Sequence, residues 1–131
     1  MPEMTGVLET AVYVADMLRS VTFYVEVLGF ELVDADERLT ALAVKKGQLL
    51  LLCARGESTG LAATAHDSRG QQHVAFAVPE AALPSWRQRL DQSGVPIVHE
   101  RIWARGGHSL YLRDPDGHLL ELATPGVWSV Y

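Results

Sequence analysis

Residues 110–122 read Leu-Tyr-Leu-Arg-Asp-Pro-Asp-Gly-His-Leu-Leu-Glu-Leu. Two alternating stretches, His108–Arg113 and His118–Ala123, flank Asp114-Pro115-Asp116-Gly117. Such a linker turns because proline fixes φ, aspartates bond nearby backbone, and glycine accepts positive φ. Upstream of this hairpin, Gln72–Val78 and Val95–Glu100 read as strands. Between them Glu80–Ser93 carries Leu83, Trp86 and Leu90 at helical spacing and is closed by Gly94. The same order occurs earlier in the chain. Val7–Ala15 alternates as a strand, and Asp16 stands as a helix N-cap. Leu18, Val21, Phe23, Tyr24, Val27 and Leu28 then form an apolar helical face ended by Gly29. Strands are expected at Phe30–Asp34, Leu39–Lys45 and Gln48–Ala54, the last two joined through Lys46-Gly47. The polar, glycine-containing stretch 55–71 separates the halves as a loop. The chain therefore reads as βαβββ twice: module one at about 7–54, module two at about 72–124, and an apolar tail at 125–131, within one domain of residues 1–131.

Composition narrows the function classes. The 131 residues are 48% hydrophobic and 21% charged, with a net charge of −5. That length suits one domain with a real core. An acidic chain without Lys/Arg clusters excludes nucleic acid and anionic membrane surfaces as expected partners. The longest apolar run, Leu49–Ala54, is too short to span a bilayer, and no signal peptide is visible before Val7. A single cysteine, Cys53, excludes an intrachain disulfide framework and suits a reducing compartment, so a cytoplasmic location is expected.

Overlaying the halves pairs Glu9 with His73 and Leu51 with Glu121. Side chains alternate across a strand. Val12, Val14, Leu50 and Leu52, with Val74, Phe76, Val78, Leu120 and Leu122, make a bulky face for the helices to cover. The opposite face carries Glu9, Ala11 and Tyr13, Leu49, Leu51 and Cys53, His73, Ala75 and Ala77, and Leu119, Glu121 and Ala123. Small residues with isolated polar ones suit a curved sheet lining a cavity. Each acidic or imidazole group taken alone is ordinarily a solvated surface residue. Three at repeat-related positions on one alanine-lined face point instead to a divalent ion. Two carboxylates and a neutral imidazole balance its charge and remove the burial penalty.

These stretches carry a family resemblance. Val14-Ala15-Asp16 followed by Phe23-Tyr24 and Val27-Leu28-Gly29-Phe30, then His73–Val78, then Leu110–Leu122, together resemble the vicinal oxygen chelate superfamily over about Leu8 to Pro125. That superfamily includes glyoxalase I, bleomycin-resistance proteins, fosfomycin-resistance enzymes and extradiol dioxygenases. The resemblance implies an α+β fold of paired βαβββ modules whose curved mixed sheets surround a central metal cavity, usually in a homodimer. Carried over by position, it implies metal ligation by Glu9, His73 and Glu121. Two departures stand out: Glu9 occupies a position often taken by histidine, and Leu51 leaves a four-ligand glyoxalase-type set incomplete. One histidine with two carboxylates also departs from the two-histidine, one-carboxylate triad of iron(II) dioxygenases.

Other residues fall near this face. Tyr111 and Ser109 point inward; Tyr111 is a candidate oxyanion donor or proton carrier, or else packs in the barrel mouth. Tyr13 holds the same kind of position. In Trp103-Ala104-Arg105-Gly106-Gly107-His108, the glycines permit close backbone approach, and Arg105 is either a partner for a substrate anion or a surface arginine. His66, in the loop, is a candidate acid or base, or a solvated histidine. Tyr111 and His66 are therefore the catalytic candidates, and Tyr13, Arg105 and Ser109 the substrate-binding ones. His99 and His118 read as exposed sheet or turn residues, Cys53 as a buried filler, and Val127, Trp128, Val130 and Tyr131 as a cover for a dimer or sheet edge. The leading expectation is a metal-dependent enzyme using Mn, Fe, Co, Ni or Zn as a Lewis acid on a small oxygenated molecule, of glyoxalase-like lyase or isomerase type. The alternatives are a metal-free drug-binding resistance protein and an iron(II) ring-cleaving dioxygenase.

Overall fold

The chain folds in the order that its periodicity predicts. The structure is a computed structural model describing residues 1–131, the side chain of Thr59 excepted. It contains two units, Met1–Gly70 and Gln71–Tyr131. The first holds β1 (Glu9–Val14), α1 (Met17–Glu26), β2 (Glu31–Ala35), β3 (Leu39–Lys45) and β4 (Gln48–Ala54), followed by a 3-10 segment at Thr59–Thr64. The second holds β5 (His73–Ala77), a single 3-10 turn at Glu80–Ala82, α2 (Leu83–Gln92), β6 (His99–Ile102), β7 (His108–Arg113) and β8 (Leu119–Ala123). The sheets run β1-β4-β3-β2 and β5-β8-β7-β6. In each, the first and last strands of the unit are parallel neighbours and the other pairs are antiparallel. Both are mixed sheets of an α+β fold.

Local chemistry explains the elements. Asp16 is extended (φ −130°, ψ 103°), and its carboxylate accepts the Arg19 N–H at 3.0 Å, capping α1. Gly29 takes φ +77° after that helix, a conformation that favours glycine. The bulky strand faces are buried as expected except in β5, where Val74 and Phe76 are half-buried. Val12, Val14, Leu42, Leu50 and Leu52 lie under Ser20 and Tyr24 of α1, while Leu110, Leu112, Leu120 and Leu122 form the second core with Leu83 and Leu90 of α2. Burying each such leucine contributes about 1.5–3 kcal/mol.

Three expectations need correction. The strand expected at Val95–Glu100 is instead β6, beginning at His99. Val95 N–H still donates to Leu90 O at the end of α2, and Pro96 has no N–H to give a ladder. The stretch 55–71 is not wholly loop, since it contains the Thr59–Thr64 segment. His118, expected as an exposed turn residue, is fully buried. Asp114 Oδ1 accepts the N–H groups of Asp116 (3.0 Å) and His118 (2.8 Å), and His118 Nδ1 accepts the Gln72 N–H (2.9 Å). The imidazole thus ties the β7–β8 hairpin to the start of β5, immediately before His73.

The tail is fastened to the second unit. Tyr131 Oη donates to Ala123 O at 3.2 Å, and Val127 is buried while Trp128 and Val130 are exposed. The chain passes Gly107 so closely that a Cβ there would lie 2.2 Å from Val127 N.

Candidate functional site

Strand register decides which side chains meet. In the second unit Ala75 and Tyr111 both lie opposite Glu121, His73 lies opposite Leu119, and His99 lies opposite Tyr111. His73, Glu121 and Tyr111 therefore share one face with Ser109. His73 Nδ1 donates to Leu119 O at 2.9 Å. That bond leaves Nε2 aimed at Glu121 Oε2, 3.3 Å away. The imidazole is half-exposed, whereas the carboxylate is buried.

An imidazole whose Nδ1 proton is committed to a carbonyl offers a lone pair at Nε2. A carboxylate oxygen facing that lone pair needs a positive species to hold the pair, either a proton or a metal ion. Metal bonds to nitrogen and oxygen of about 2.0–2.2 Å place neighbouring ligand atoms roughly 3–3.5 Å apart. The observed separation fits that spacing, and the backbone-bonded Nδ1 is the usual support of a ligating histidine.

Glu121 is held from its other side. Ser109, fully buried, donates from Oγ to Glu121 Oε1 at 2.5 Å and accepts the Trp103 indole N–H at 2.8 Å. The Arg101 guanidinium lies over the Trp103 ring, 3.7 Å from its centroid. Burial first, then the Glu121 charge, pushes the Tyr111 phenol above its ordinary value of 10. Tyr111 thus keeps its proton near neutrality and acts as a hydrogen-bond donor. Beside it Val98, His99, Arg113 and Leu119 line an open cleft of about 430 Å³.

In the first unit Glu9, Ala11 and Tyr13 lie opposite Leu49, Leu51 and Cys53. Glu9 is exposed at the start of β1. Tyr13 Oη meets His66 Nδ1 at 2.5 Å. Ser58 holds His66 in place, its Oγ donating to His66 O and accepting the His66 N–H at 3.1 Å. Burial first, then the charges of Cys53 and Asp67, raises the Tyr13 phenol. The phenol thus keeps its proton and can donate it to His66 Nδ1. Cys53 is buried, and burial, with the Glu9 charge second, raises its thiol pKa. Such a thiol is a filler rather than a nucleophile.

Of the sequence-predicted residues, the structure brings together His73 with Glu121, Ser109 with Glu121, and Tyr13 with His66. Arg105 stays exposed on the β6–β7 turn. Sequence reasoning missed Trp103 as the donor to Ser109; the indole's position before Gly106-Gly107 was the available signal. Among the described residues one trio of possible ligands, Asp114, Asp116 and His118, has ligand atoms within 4.8 Å of one another. Asp114 Oδ1 and His118 Nδ1 already accept the backbone N–H groups of the hairpin and of Gln72.

The comparisons with known proteins identify the family and the fold. The model of the Glyoxalase/Bleomycin resistance protein/Dioxygenase superfamily matches residues 6–122. The chain belongs to this superfamily. It is 35% identical over 109 residues to the glutathione transferase FosA of Serratia marcescens, covering 83% of this chain and 73% of that protein. It is 39% identical over 64 residues to the metallothiol transferase FosB of Bacillus licheniformis, covering 48% of this chain and 40% of that one. The match to the FosB of Shouchella clausii covers 37% of that protein, so the chain spans about two fifths of these two relatives. Among solved structures, a lactoylglutathione lyase from Agrobacterium tumefaciens superposes with a TM-score of 0.89 at 28% identity, covering 98% of this chain and 99% of that one. Among the described residues, no helix is long and apolar enough to cross a membrane.

Proposed function

We propose that this chain is a metal-dependent enzyme that binds a small oxygenated molecule through adjacent oxygens and acts on it together with a low-molecular-weight thiol or as a thiol adduct. The observation that carries this reading is the His73 Nε2–Glu121 Oε2 pair, built with the tautomer and spacing of metal ligands. Glutathione or thiol chemistry appears in the names of the transferases and of the lyase above, which supports the thiol part.

In this reading His73 Nε2 and Glu121 Oε2 would hold a divalent ion of the Mn, Fe, Co, Ni or Zn group. Bound there, the ion would polarise a substrate oxygen as a Lewis acid. The protein groups do the rest. Tyr111, kept protonated, donates a hydrogen bond to oxygen on which negative charge develops. With the Tyr13 hydroxyl donating to Nδ1, His66 would carry its ring proton at Nε2 and give it there as a general acid. Arg105, exposed on the β6–β7 turn, would pair with an anionic group of the substrate. The chain works as a cytoplasmic homodimer.

Two reaction types share this machinery: proton abstraction beside a carbonyl, as in a lyase or isomerase, and opening of an activated electrophile by the thiol. Turnover of a methylglyoxal–glutathione hemithioacetal and of a small epoxide with glutathione separates them. Each is assayed with the Mn²⁺-loaded protein and with Tyr111→Phe and His66→Ala. Activity on either substrate that requires the ion and falls at least tenfold in Tyr111→Phe is the expected result. Tight, metal-independent binding of such molecules without turnover would overturn it in favour of a sequestering protein.

A further inference from the structure

We propose that Trp103 and Ser109 are positioning residues that aim Glu121: the Trp103 indole N–H, the Ser109 hydroxyl and Glu121 Oε1 form a one-way hydrogen-bond relay that leaves Oε2 free for the ion. The inference rests on the metal-centre reading and extends it to residues that never touch the ion.

The direction of the relay follows from the groups at its ends. An indole is a donor only, and a carboxylate accepts. The hydroxyl between them has one proton and must spend it on Glu121, while one of its lone pairs takes the Trp103 N–H. The two oxygens of Glu121 therefore have different tasks. Oε1 is engaged by Ser109, and Oε2 faces His73. Fastened at Oε1, the buried carboxylate turns Oε2 toward His73, so the relay favours ligation through Oε2.

The anchor end is held by the fold. Trp103 N–H donates to Gly107 O at 2.8 Å and Trp103 O accepts the Gly106 N–H at 2.9 Å, closing the β6–β7 turn around the indole's own backbone. Arg101 covers one side of the ring, and Trp128 of the tail lies 6.3 Å away between ring centroids. Because Ser109 is fully buried, its hydroxyl is placed for Glu121 rather than for a molecule arriving from solvent.

The test titrates Co²⁺ into metal-free wild type, Ser109→Ala, Ser109→Thr and Trp103→Phe, reading affinity and the d–d absorption. It also records the Trp103 indole ¹⁵N–¹H signal in the metal-free proteins and in Glu121→Gln. Outer-shell partners of a metal ligand are worth about 10–100-fold in affinity. Ser109→Ala is expected to lose that much and to change the d–d spectrum as the carboxylate turns. Trp103→Phe is expected to lose less, about threefold to tenfold, because Ser109 still donates. Ser109→Thr keeps the hydroxyl and restores binding; if the added methyl prevents folding, Trp103→Phe carries the test. In the metal-free protein the indole signal moves in both Ser109→Ala and Glu121→Gln. Wild-type affinity and spectrum in Ser109→Ala overturn the relay. If wild type binds no Co²⁺, the metal-centre reading falls, and the indole signal alone decides the relay: unmoved in Glu121→Gln, it is overturned as well.

Discussion

The two sheets share topology and register but not the chemistry of their corresponding faces. In the second, Glu121 is buried between Ala75 and Tyr111, with Ser109 bound to one oxygen and His73 facing the other. In the first, Leu51 takes the Glu121 position between Ala11 and Ala41, and Leu39, opposite Cys53, takes the place that Ser109 holds opposite Ala123. A leucine there can neither donate to a carboxylate nor require one. The first face offers instead the Tyr13–His66 bond and an exposed Glu9. Repetition of the fold has kept the strand order, which backbone pairing and apolar burial determine. Polar side chains diverged, because a buried carboxylate is tolerated only where donors surround it.

The sharpest way to break the comparison is to make the second face resemble the first. Glu121→Leu and His73→Ala are each expected to weaken divalent-ion binding by more than about 100-fold, since losing even an outer-shell partner costs 10–100-fold; calorimetric titration with Mn²⁺ checks this. Next in size is Gly107→Ala. Its Cβ meets the backbone of Gly126 and Val127, whereas a Cβ at Gly47 in the first sheet meets nothing within 4 Å. About 2–4 kcal/mol should be lost in urea unfolding, by steric overpacking against backbone that cannot rotate away.

The hairpins differ as well. The β3–β4 turn is Lys46-Gly47, with φ +80° at the glycine, and the β7–β8 turn depends on the Asp114 carboxylate. Asp114→Ala strands two backbone donors and should cost about 1–3 kcal/mol. Lys46→Ala should be near neutral by the same unfolding measurement.

The smallest effect concerns how α2 is fastened. Arg87 makes a two-pronged pair with Glu100, which His108 also contacts at 3.2 Å. The Arg87 hydrogen bond, before any other cause, holds the Glu100 carboxyl down at about 2, below its usual 4.5. A depressed folded-state pKa means that the stabilisation is complete above pH 4.5 and is lost as pH falls toward 2. The pair is substantially solvent-exposed, so Glu100→Gln should cost no more than about 1 kcal/mol at pH 7 and flatten that acid limb. Unfolding midpoints measured between pH 2 and 7 check the shape.

Element order and strand faces were legible because both rest on local periodicity. The Val12, Leu50, Leu120 and Leu122 set had to be buried whichever way the strands paired. His73 and Glu121 were legible as a pair because repeat alignment and alternation put them on one face. What stayed hidden depends on reach rather than period. His118 alternates like a turn residue, yet its ring is buried because Gln72, distant in the chain, gives it an N–H. Trp103 stands in the sequence only as the first residue of the Trp103–His108 stretch, and its indole meets Ser109 once β6 pairs with β7. His66 sits in a stretch without periodicity, and the Ser58 bonds to its backbone together with the Tyr13 hydroxyl fix where its imidazole goes.

The central claim is that the His73–Glu121 pair holds a divalent ion. Metal analysis of protein purified without chelator tests it most directly, on wild type, Glu121→Ala and Asp114→Ala side by side. The account predicts a stoichiometric ion in wild type, retained in Asp114→Ala and gone in Glu121→Ala. An ion that survives Glu121→Ala but leaves with Asp114→Ala would assign the metal to the hairpin trio and contradict the claim, as would wild type that carries none.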